Sequence, residues 1–305
     1  MRAAYTEADG GPEDIKVGDL PTPEPGPSGI LVRNNAAGVG PWDWKMLAGK
    51  WMPLTFPHIP GSEAAGVVER APEGSEFKVG DEVWGRVQHA YAEYVVADGV
   101  TLVPKPADVS FEEAAGLVIA ASTAYEGIID RLKLQPTGTI IVTSAAGGVG
   151  SAAVQIAVTT GARVIGVASA ANHDFVRSLG ASDVFDYHDS GWPDAVREAV
   201  TGGADALFDS AGAETGQAAL KALHDGGRAS FVAFPNPDVT SEGRGITGDS
   251  FSADGTRERF EAINKLIEDG KLKAHLAEIL PLEQAAEALK KSQQGHTRGK
   301  IVLNI

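Results

Sequence analysis

The sequence predicts an α/β protein with two parts, a small β-rich domain and a doubly wound parallel sheet covered by helices. Short segments rich in β-branched residues, separated by Gly and Pro, fill the first hundred residues. From about Ser110 onward, apolar strands alternate with helices, which is typical of a parallel sheet buried on both faces. A chain of 305 residues has the length of about two domains.

The amino-acid composition of the chain argues against some classes of binding partner. The chain has 26 Lys and Arg against 41 Asp and Glu, and its net charge of −15 argues against nucleic acid or an anionic membrane. It has no Cys, which excludes disulfides and every zinc site that needs a thiolate. The first residues lack the apolar segment of a signal peptide, and no apolar run reaches about 18 residues. We expect a soluble, cytoplasmic protein that acts on a small molecule.

The β-rich part begins with a stiff, extended stretch that carries four prolines between positions 21 and 27. The predicted strands after it cover residues 30–33, 64–69, 79–85 and 91–96. Small residues at 64–66 would let neighbouring backbones approach closely. This spacing predicts a barrel-like domain.

The helical part begins with a capping box at Ser110 and Glu113, which predicts a helix over residues 114–132. The predicted strands that follow cover residues 139–143, 163–168, 184–185, 206–209 and 229–232. The predicted helices cover residues 149–160, 172–179 and 257–267, and residues 277–305 return to strand, helix and strand.

Residues 140–150 read IIVTSAAGGVG, a strand, a glycine-rich turn and the start of a helix. Against the pattern G-x-G-x-x-G this segment carries Ala145, Gly147 and Gly150. Gly147 would let the backbone approach a pyrophosphate, Gly150 would let helix and strand pack tightly, and the helix N-terminus would offer free N–H groups. The context predicts a dinucleotide site, and the alternative is a close-packed turn without a ligand.

The residue after the second strand of such a unit selects the cofactor. NAD sites usually carry Asp or Glu there, whereas this chain has Ser169. A 2′-phosphate would not be repelled by an acid at that position, so we expect NADPH rather than NADH. Ser169, Asn172 and His173 can donate hydrogen bonds, and Arg177 lies one turn further. A site that accepts either cofactor is the alternative.

Several ordered motifs occur along the chain, at residues 61–68 (GSEAAGVV), 79–83 (VGDEV), 91–94 (YAEY), 123–125 (TAY), 145–150 (AAGGVG) and 298–302 (RGKIV). Together they resemble the medium-chain dehydrogenase/reductase superfamily, in its zinc-free, zeta-crystallin-like quinone oxidoreductase branch. The resemblance covers nearly the whole chain. It implies a GroES-like substrate domain of residues 1–117 and 251–305, interrupted by a Rossmann domain of residues 118–250. It also implies a homodimer.

The zinc ligands of the superfamily are missing. Zinc-dependent members carry Cys and His at the places held here by Gly40 and Ser62, and the four-cysteine structural lobe is absent. Without those ligands zinc cannot hold its catalytic geometry, and alcohol oxidation loses its Lewis acid. The resemblance therefore implies metal-free hydride transfer from NADPH to a quinone or another conjugated carbonyl acceptor. The alternatives are an enoyl or 2-alkenal reductase, and an NADPH-binding protein with little turnover.

The resemblance places a substrate contact at Gly40, and we expect further contacts from Trp42, Lys45 and Trp51 because they crowd the same segment. Quinone reductases often carry Asn where Gly40 stands, so this chain lacks a donor there. The Trp rings could stack on a flat acceptor, or they could be core anchors. Lys45 could orient a carbonyl or assist protonation, or it could be a solvated lysine. No catalytic residue is assigned.

The expected cofactor contacts are Pro41, Asp43, Thr123, Ala146, Gly147, Gly148, Val149, Ser169, Asn172, Tyr187, Ser210, Ala211, Gly212, Phe234 and Phe251. Thr123 would face the nicotinamide. Tyr187 follows the third strand and could approach the adenosine end, with a packing role as the alternative.

Overall fold

The computed structural model describes residues 1–99 and 101–305, and it divides into two compact units. The first unit consists of Met1–Ile119 and Gly255–Ile305, and the second consists of Ala120–Asp254.

The strands are β1 (Arg2–Tyr5), β2 (Lys16–Asp19), β3 (Ile30–Val39), β4 (Glu63–Arg70), β5 (Glu82–Arg86), β6 (Tyr94–Ala97), β7 (Leu102–Pro104), β8 (Thr139–Val142), β9 (Arg163–Val167), β10 (Asp183–Phe185), β11 (Ala204–Asp209), β12 (Leu223–Phe231), β13 (Thr247–Ser250), β14 (Leu276–Pro281) and β15 (Lys300–Asn304). The helices are α1 (Pro41–Leu47), α2 (Phe111–Tyr125), α3 (Gly148–Thr159), α4 (His173–Ser178), α5 (Trp192–Ala199), α6 (Ala213–Lys221), α7 (Arg257–Glu268) and α8 (Ala285–Gln294).

The first unit is built around a seven-stranded sheet in the order β14-β15-β3-β4-β5-β7, with β6 also paired to β3. β15 is parallel to β14 and antiparallel to β3. The core is apolar and includes the fully buried side chains of Ile30, Leu289 and Leu303. The strand predicted at 79–85 begins only at Glu82, because Gly80 adopts a φ of +94° in the turn before it.

The second unit is a six-stranded, wholly parallel sheet in the order β10-β9-β8-β11-β12-β13. Successive strands run outward from β8 in one direction and from β11 in the other, so the strand order reverses between them. This is the predicted doubly wound sheet, and its reversal point is where such folds bind ligands. Ile141, Ile165 and Leu207 lie in its core with no exposed surface.

The helix predicted at 114–132 has two parts. Its capping box is confirmed, with Ser110 N donating to Glu113 Oε2 at 2.9 Å and Glu113 N donating to Ser110 Oγ at 3.1 Å. However, α2 ends at Tyr125, and the helical segment continues over Glu126–Arg131 as a wider π-helical turn, which the sequence did not predict. The five-residue spacing brings Arg131 to within 2.7 Å of the buried carboxylate of Glu126.

Within the described residues, no helix is both long and apolar enough to span a bilayer.

Candidate functional site: a glycine turn and a buried charge cluster

The glycine-rich turn lies between β8 and α3 in the second unit. A Cβ on Gly150 would lie 2.0 Å from the carbonyl oxygen of Ser144, so only glycine allows this close approach. A Cβ on Gly147 would lie 3.2 Å from Ser144 Oγ, a tight but tolerable distance. Gly150 therefore has the packing role that the sequence predicted, whereas Gly147 is not required by the fold alone.

The N-terminus of α3 offers hydrogen-bond donors at this turn. Ser151 N donates to Gly147 O at 2.9 Å, which closes the first helical turn. The N–H groups of Gly148, Val149 and Gly150 come before that bond, at the end of the helix that attracts anions. Ala146 is buried beside them.

A second loop, residues 210–212 after β11, is fixed beside the end of β8. The buried carboxylate of Asp209 accepts hydrogen bonds from Thr143 Oγ1 at 2.5 Å, Ala211 N at 3.2 Å and Gly212 N at 3.1 Å. Ser210 Oγ donates to Thr143 O at 2.9 Å. Burial raises the pKa of Asp209, and these three donors oppose that rise.

The network joins the predicted residues of loop 210–212 to the strand that leads into the glycine turn, because β8 and β11 are neighbours in the sheet. Sequence reasoning missed Asp209 and Thr143. An acid that ends the apolar strand ALFD was the available signal.

Ser169 lies two residues after the end of β9, and its surroundings are polar. Ser169 Oγ accepts a hydrogen bond from Asn172 Nδ2 at 3.1 Å, and His173 Nε2 lies 3.2 Å from Ala168 O. The structure therefore brings Ser169 and Asn172 together, and their assignment to the adenosine end of a cofactor stays a prediction.

A carboxylate from the next strand also reaches this place. Asp186 Oδ2 accepts a hydrogen bond from Ala170 N at 3.0 Å, one residue beyond Ser169. Asp186 Oδ1 accepts from His188 N at 2.9 Å, and this backbone bond is the main reason that the pKa of Asp186 is lowered. The sequence argument looked for an acid only at the position of Ser169 and therefore missed Asp186. Because β9 and β10 are parallel neighbours, their carboxyl ends meet.

The aromatic residues predicted near the cofactor differ in exposure. Tyr187 is partly buried, packs against the core of the second unit and lies against His188 with ring centroids 4.1 Å apart. The Arg131 guanidinium lies 4.3 Å from the centroid of the Phe251 ring. Phe234 is 66% exposed, and Thr123 is buried in α2. The contacts of Tyr187 match the packing role that was its alternative.

In the first unit, the carboxylate of Asp43 is hydrogen-bonded to neighbouring groups of the protein. Its Oδ2 accepts hydrogen bonds from Gly40 N at 2.8 Å and Tyr91 Oη at 2.9 Å. Burial, followed by the negative charge of Glu63, raises the pKa of Asp43 to about 6. These bonds hold the start of α1 at Pro41, so the carboxylate of Asp43 has a structural task there.

A buried ion pair borders Gly40. Lys300 Nζ lies 2.5 Å from Glu63 Oε1, and Ile119 N donates to Glu63 Oε2 at 2.9 Å. The side chains of Lys300 and Glu63 are only 11% and 3% exposed. The atoms nearest to a Cβ on Gly40 would be Lys300 Nζ at 3.6 Å and Glu63 Oε1 at 3.7 Å. Sequence reasoning treated Lys300 only as part of the motif RGKIV.

The predicted substrate residues lie on or near α1. Trp42 and Trp51 are each 51% exposed, and their ring centroids are 5.5 Å apart with the planes at 55°. Lys45 Nζ lies 5.5 Å from the centroid of the Trp44 ring. The structure therefore brings Trp42 and Trp51 together, while the ammonium of Lys45 contacts a neighbouring ring.

The donor set does not fit a catalytic zinc ion. Gly40 has no side chain, and the space beside it is bordered by the ammonium of Lys300, which repels a cation. Among residues 1–99 and 101–305, no group of three or more His, Cys, Asp or Glu side chains is arranged to hold a metal.

Comparison with known proteins agrees with this geometry. Residues 26–107 match the model of the alcohol dehydrogenase GroES-like domain, and residues 179–303 match that of the zinc-binding dehydrogenases. The mouse quinone oxidoreductase is 31% identical over 99% of this chain and 97% of its own length. A crystal structure of an NAD-dependent alcohol dehydrogenase has 32% identity, a TM-score of 0.94 and full coverage of both chains. A mycobacterial protein solved with NADPH has 27% identity and a TM-score of 0.91, again over both whole chains.

A GroES-like β unit joined to a Rossmann unit with a glycine turn defines an oxidoreductase that uses a nicotinamide cofactor. The chain belongs to the medium-chain dehydrogenase/reductase superfamily, in its zinc-free quinone oxidoreductase branch. Although the matched family is called zinc-binding, this chain has Gly40 and Ser62 where zinc-dependent members carry their Cys and His ligands.

Proposed function

We propose that this protein transfers a hydride from NADPH to a quinone or another conjugated carbonyl acceptor without a metal ion. The main support is the pairing of the glycine turn with loop 210–212 at the reversal point of the parallel sheet, in a chain 31% identical to a quinone oxidoreductase. When bound, the cofactor supplies the hydride. Gly147 and the N–H groups of Gly148 and Val149 would hold its pyrophosphate, and the Asp209–Thr143 network would keep loop 210–212 in place.

The proposed preference for NADPH rests on the hydroxyl of Ser169, which adds no negative charge, and on the mycobacterial relative that binds NADPH. NADH is the second candidate cofactor, and the observation that favours it is the carboxylate of Asp186. This carboxylate is ionised at neutral pH and would repel a 2′-phosphate placed near Ala170 N. The ratio of kcat/KM for the two cofactors decides between them.

The proposed acceptor is flat, because the rings of Trp42 and Trp51 are each about half exposed and lie 5.5 Å apart, so they offer an aromatic surface. We propose that residues 1–117 and 251–305 bind this acceptor and that residues 118–250 bind the cofactor. Following the resemblance, we also propose a cytoplasmic homodimer, which size-exclusion chromatography with light scattering would check.

The decisive experiment is an activity screen of purified protein with quinones, enones and 2-alkenals, each with NADPH and with NADH. Oxidation of NADPH by at least one quinone is expected. Turnover of enones or 2-alkenals alone would identify an enoyl-type reductase, since Gly40 lacks a donor for a quinone oxygen. Binding of NADPH without turnover of any acceptor would contradict an enzymatic role.

The same preparation tests the absence of zinc chemistry. Elemental analysis should find no stoichiometric zinc, and a chelator should leave the activity unchanged. One zinc ion per chain, with loss of activity on its removal, would contradict the proposal.

A further inference from the structure

The ammonium of Lys300 is nearly buried and has unused hydrogen-bonding capacity. Among residues 1–99 and 101–305, its one hydrogen-bond partner is Glu63, at 2.5 Å from Nζ. A lysine ammonium has three N–H donors, so two remain. A buried donor without an acceptor loses free energy, so this position is ready to receive an oxygen atom from a ligand.

Gly40, which carries no side chain, lies beside that donor. A Cβ at Gly40 would meet Lys300 Nζ at 3.6 Å and Glu63 Oε1 at 3.7 Å, with no closer atom. Any larger residue at this position would begin to cover the ammonium. The exposed ring of Trp42, two residues along the chain, belongs to the surface proposed for a flat acceptor.

Glu63 fixes the position of the donor. Its Oε2 is held by Ile119 N at 2.9 Å, and a Cβ on Gly38 would lie 2.7 Å from its Cδ, so the carboxylate fits only against a glycine. A carboxylate held in this way orients Nζ in a region that is largely shielded from water. Asp43 adds a second carboxyl group to the same cluster.

We propose that Lys300 is a catalytic residue that donates a hydrogen bond from Nζ to the carbonyl oxygen of the acceptor, with Glu63 as the residue that positions it. This inference rests on the proposed function. As hydride adds to the acceptor, the electron pair of the attacked π bond moves onto this oxygen, giving a hydroquinone anion or an enolate. Lys300 stabilises that negative charge and stays protonated, and water then supplies the proton that completes the reduction.

The test removes the ammonium without leaving an unpaired buried carboxylate. The variant is the double substitution K300M/E63Q, and its matched control is K291M/E278Q, which removes a surface ion pair of 2.7 Å in the same unit. Loss of one donor of this type lowers kcat roughly 10²–10³-fold, with a smaller effect on KM. The control should keep the wild-type kcat.

A second readout does not depend on turnover. The dye 4-nitrophenol, titrated by absorbance in the presence of protein and NADP⁺, imitates the anionic oxygen of the product. Beside an ammonium its pKa should fall about 1–3 units below the value in water. K300M/E63Q should abolish this shift. If that variant does not fold, K300Q serves instead, because it removes the positive charge while its neutral amide can still donate to Glu63, and it should also abolish the shift.

The outcomes separate this inference from the proposed function. If the wild type turns over and folded K300M/E63Q keeps both the wild-type kcat and the wild-type pKa shift of the dye, Lys300 has only a structural role. If the wild type reduces no acceptor, the proposed function fails. The dye then still decides the inference, because a shift that disappears in K300M/E63Q supports the donor and no shift in the wild type overturns it.

Discussion

Asp43→Asn is expected to remove a pH-dependent loss of stability from the first unit. Asp43 is 5% exposed, and burial raises the pKa of its carboxyl from 3.8 to about 6. Between these two values the folded chain keeps a proton that the unfolded chain releases. The stabilisation by the protonated form is therefore complete below pH 3.8 and is lost as the pH rises through about 6.

The size of the effect follows from the pKa difference. A rise of about two units corresponds to about 2.4 kcal/mol of unfolding free energy between pH 4 and pH 8, since part of the effect already falls below pH 4. The amide oxygen of Asn can still accept the hydrogen bonds from Gly40 N and Tyr91 Oη, which are 2.8 and 2.9 Å long. Relative to the wild type, the unfolding free energy of Asp43→Asn should therefore rise by about 2.4 kcal/mol on going from pH 4 to pH 8.

Urea unfolding followed by Trp fluorescence at both pH values measures this difference, since Trp42, Trp44 and Trp51 lie in the first unit. Asp108→Asn, at an exposed position of the same unit, is the control and should leave the pH dependence unchanged. If the free-energy difference between wild type and Asp43→Asn is the same at pH 4 and pH 8, the reasoning about the buried carboxyl is refuted.

Further predictions concern the second unit. Gly147→Asp should abolish dinucleotide binding in a folded chain, because its carboxylate would occupy and repel the pyrophosphate, and unchanged NADPH affinity by titration would rule this out. Gly150→Ala should lower stability by about 1–3 kcal/mol or more in thermal or urea unfolding, since its Cβ would clash with Ser144 O, and a wild-type stability would contradict the packing role. Ser169→Asp should lower the ratio of kcat/KM with NADPH to kcat/KM with NADH roughly tenfold to a hundredfold, whereas Asp186→Asn should raise this ratio. If the ratio changes in neither variant, the 2′-phosphate of the cofactor does not bind near these two residues.

Local patterns explain which parts of the fold could be predicted. The parallel sheet followed from apolar strands that alternate with helices, and the glycine turn followed from its position between β8 and α3. The π-helical turn at Glu126–Arg131 could not be read in this way. Tertiary packing constrains this turn as well, because a Cβ on Gly127 would lie 2.3 Å from the ring of Phe208 and only glycine fits there.

The charged groups of the site depend on contacts between distant parts of the chain. Glu63 and Lys300 are 237 residues apart, and no spacing rule joins them. Asp186 reaches Ala170 only because β9 and β10 are neighbours with parallel strands. Local motifs therefore predicted the glycine turn that the structure contains, but not the acids and the lysine that tertiary structure adds.

The position of β15 bears on how the chain folds during its synthesis. β15 lies inside the sheet of the first unit, between β14 and β3, and its Ile301, Val302 and Leu303 are buried. The second unit uses a continuous segment and can complete its sheet before residue 255 is made. The ribosome adds about 5–20 residues per second, so the edge of β3 at residues 36–39 stays unpaired for about 10 to 40 s between the synthesis of residue 119 and that of its partner strand β15. An unpaired edge beside apolar surface attracts other chains, so the first unit is the part of a nascent chain that chaperones would protect longest.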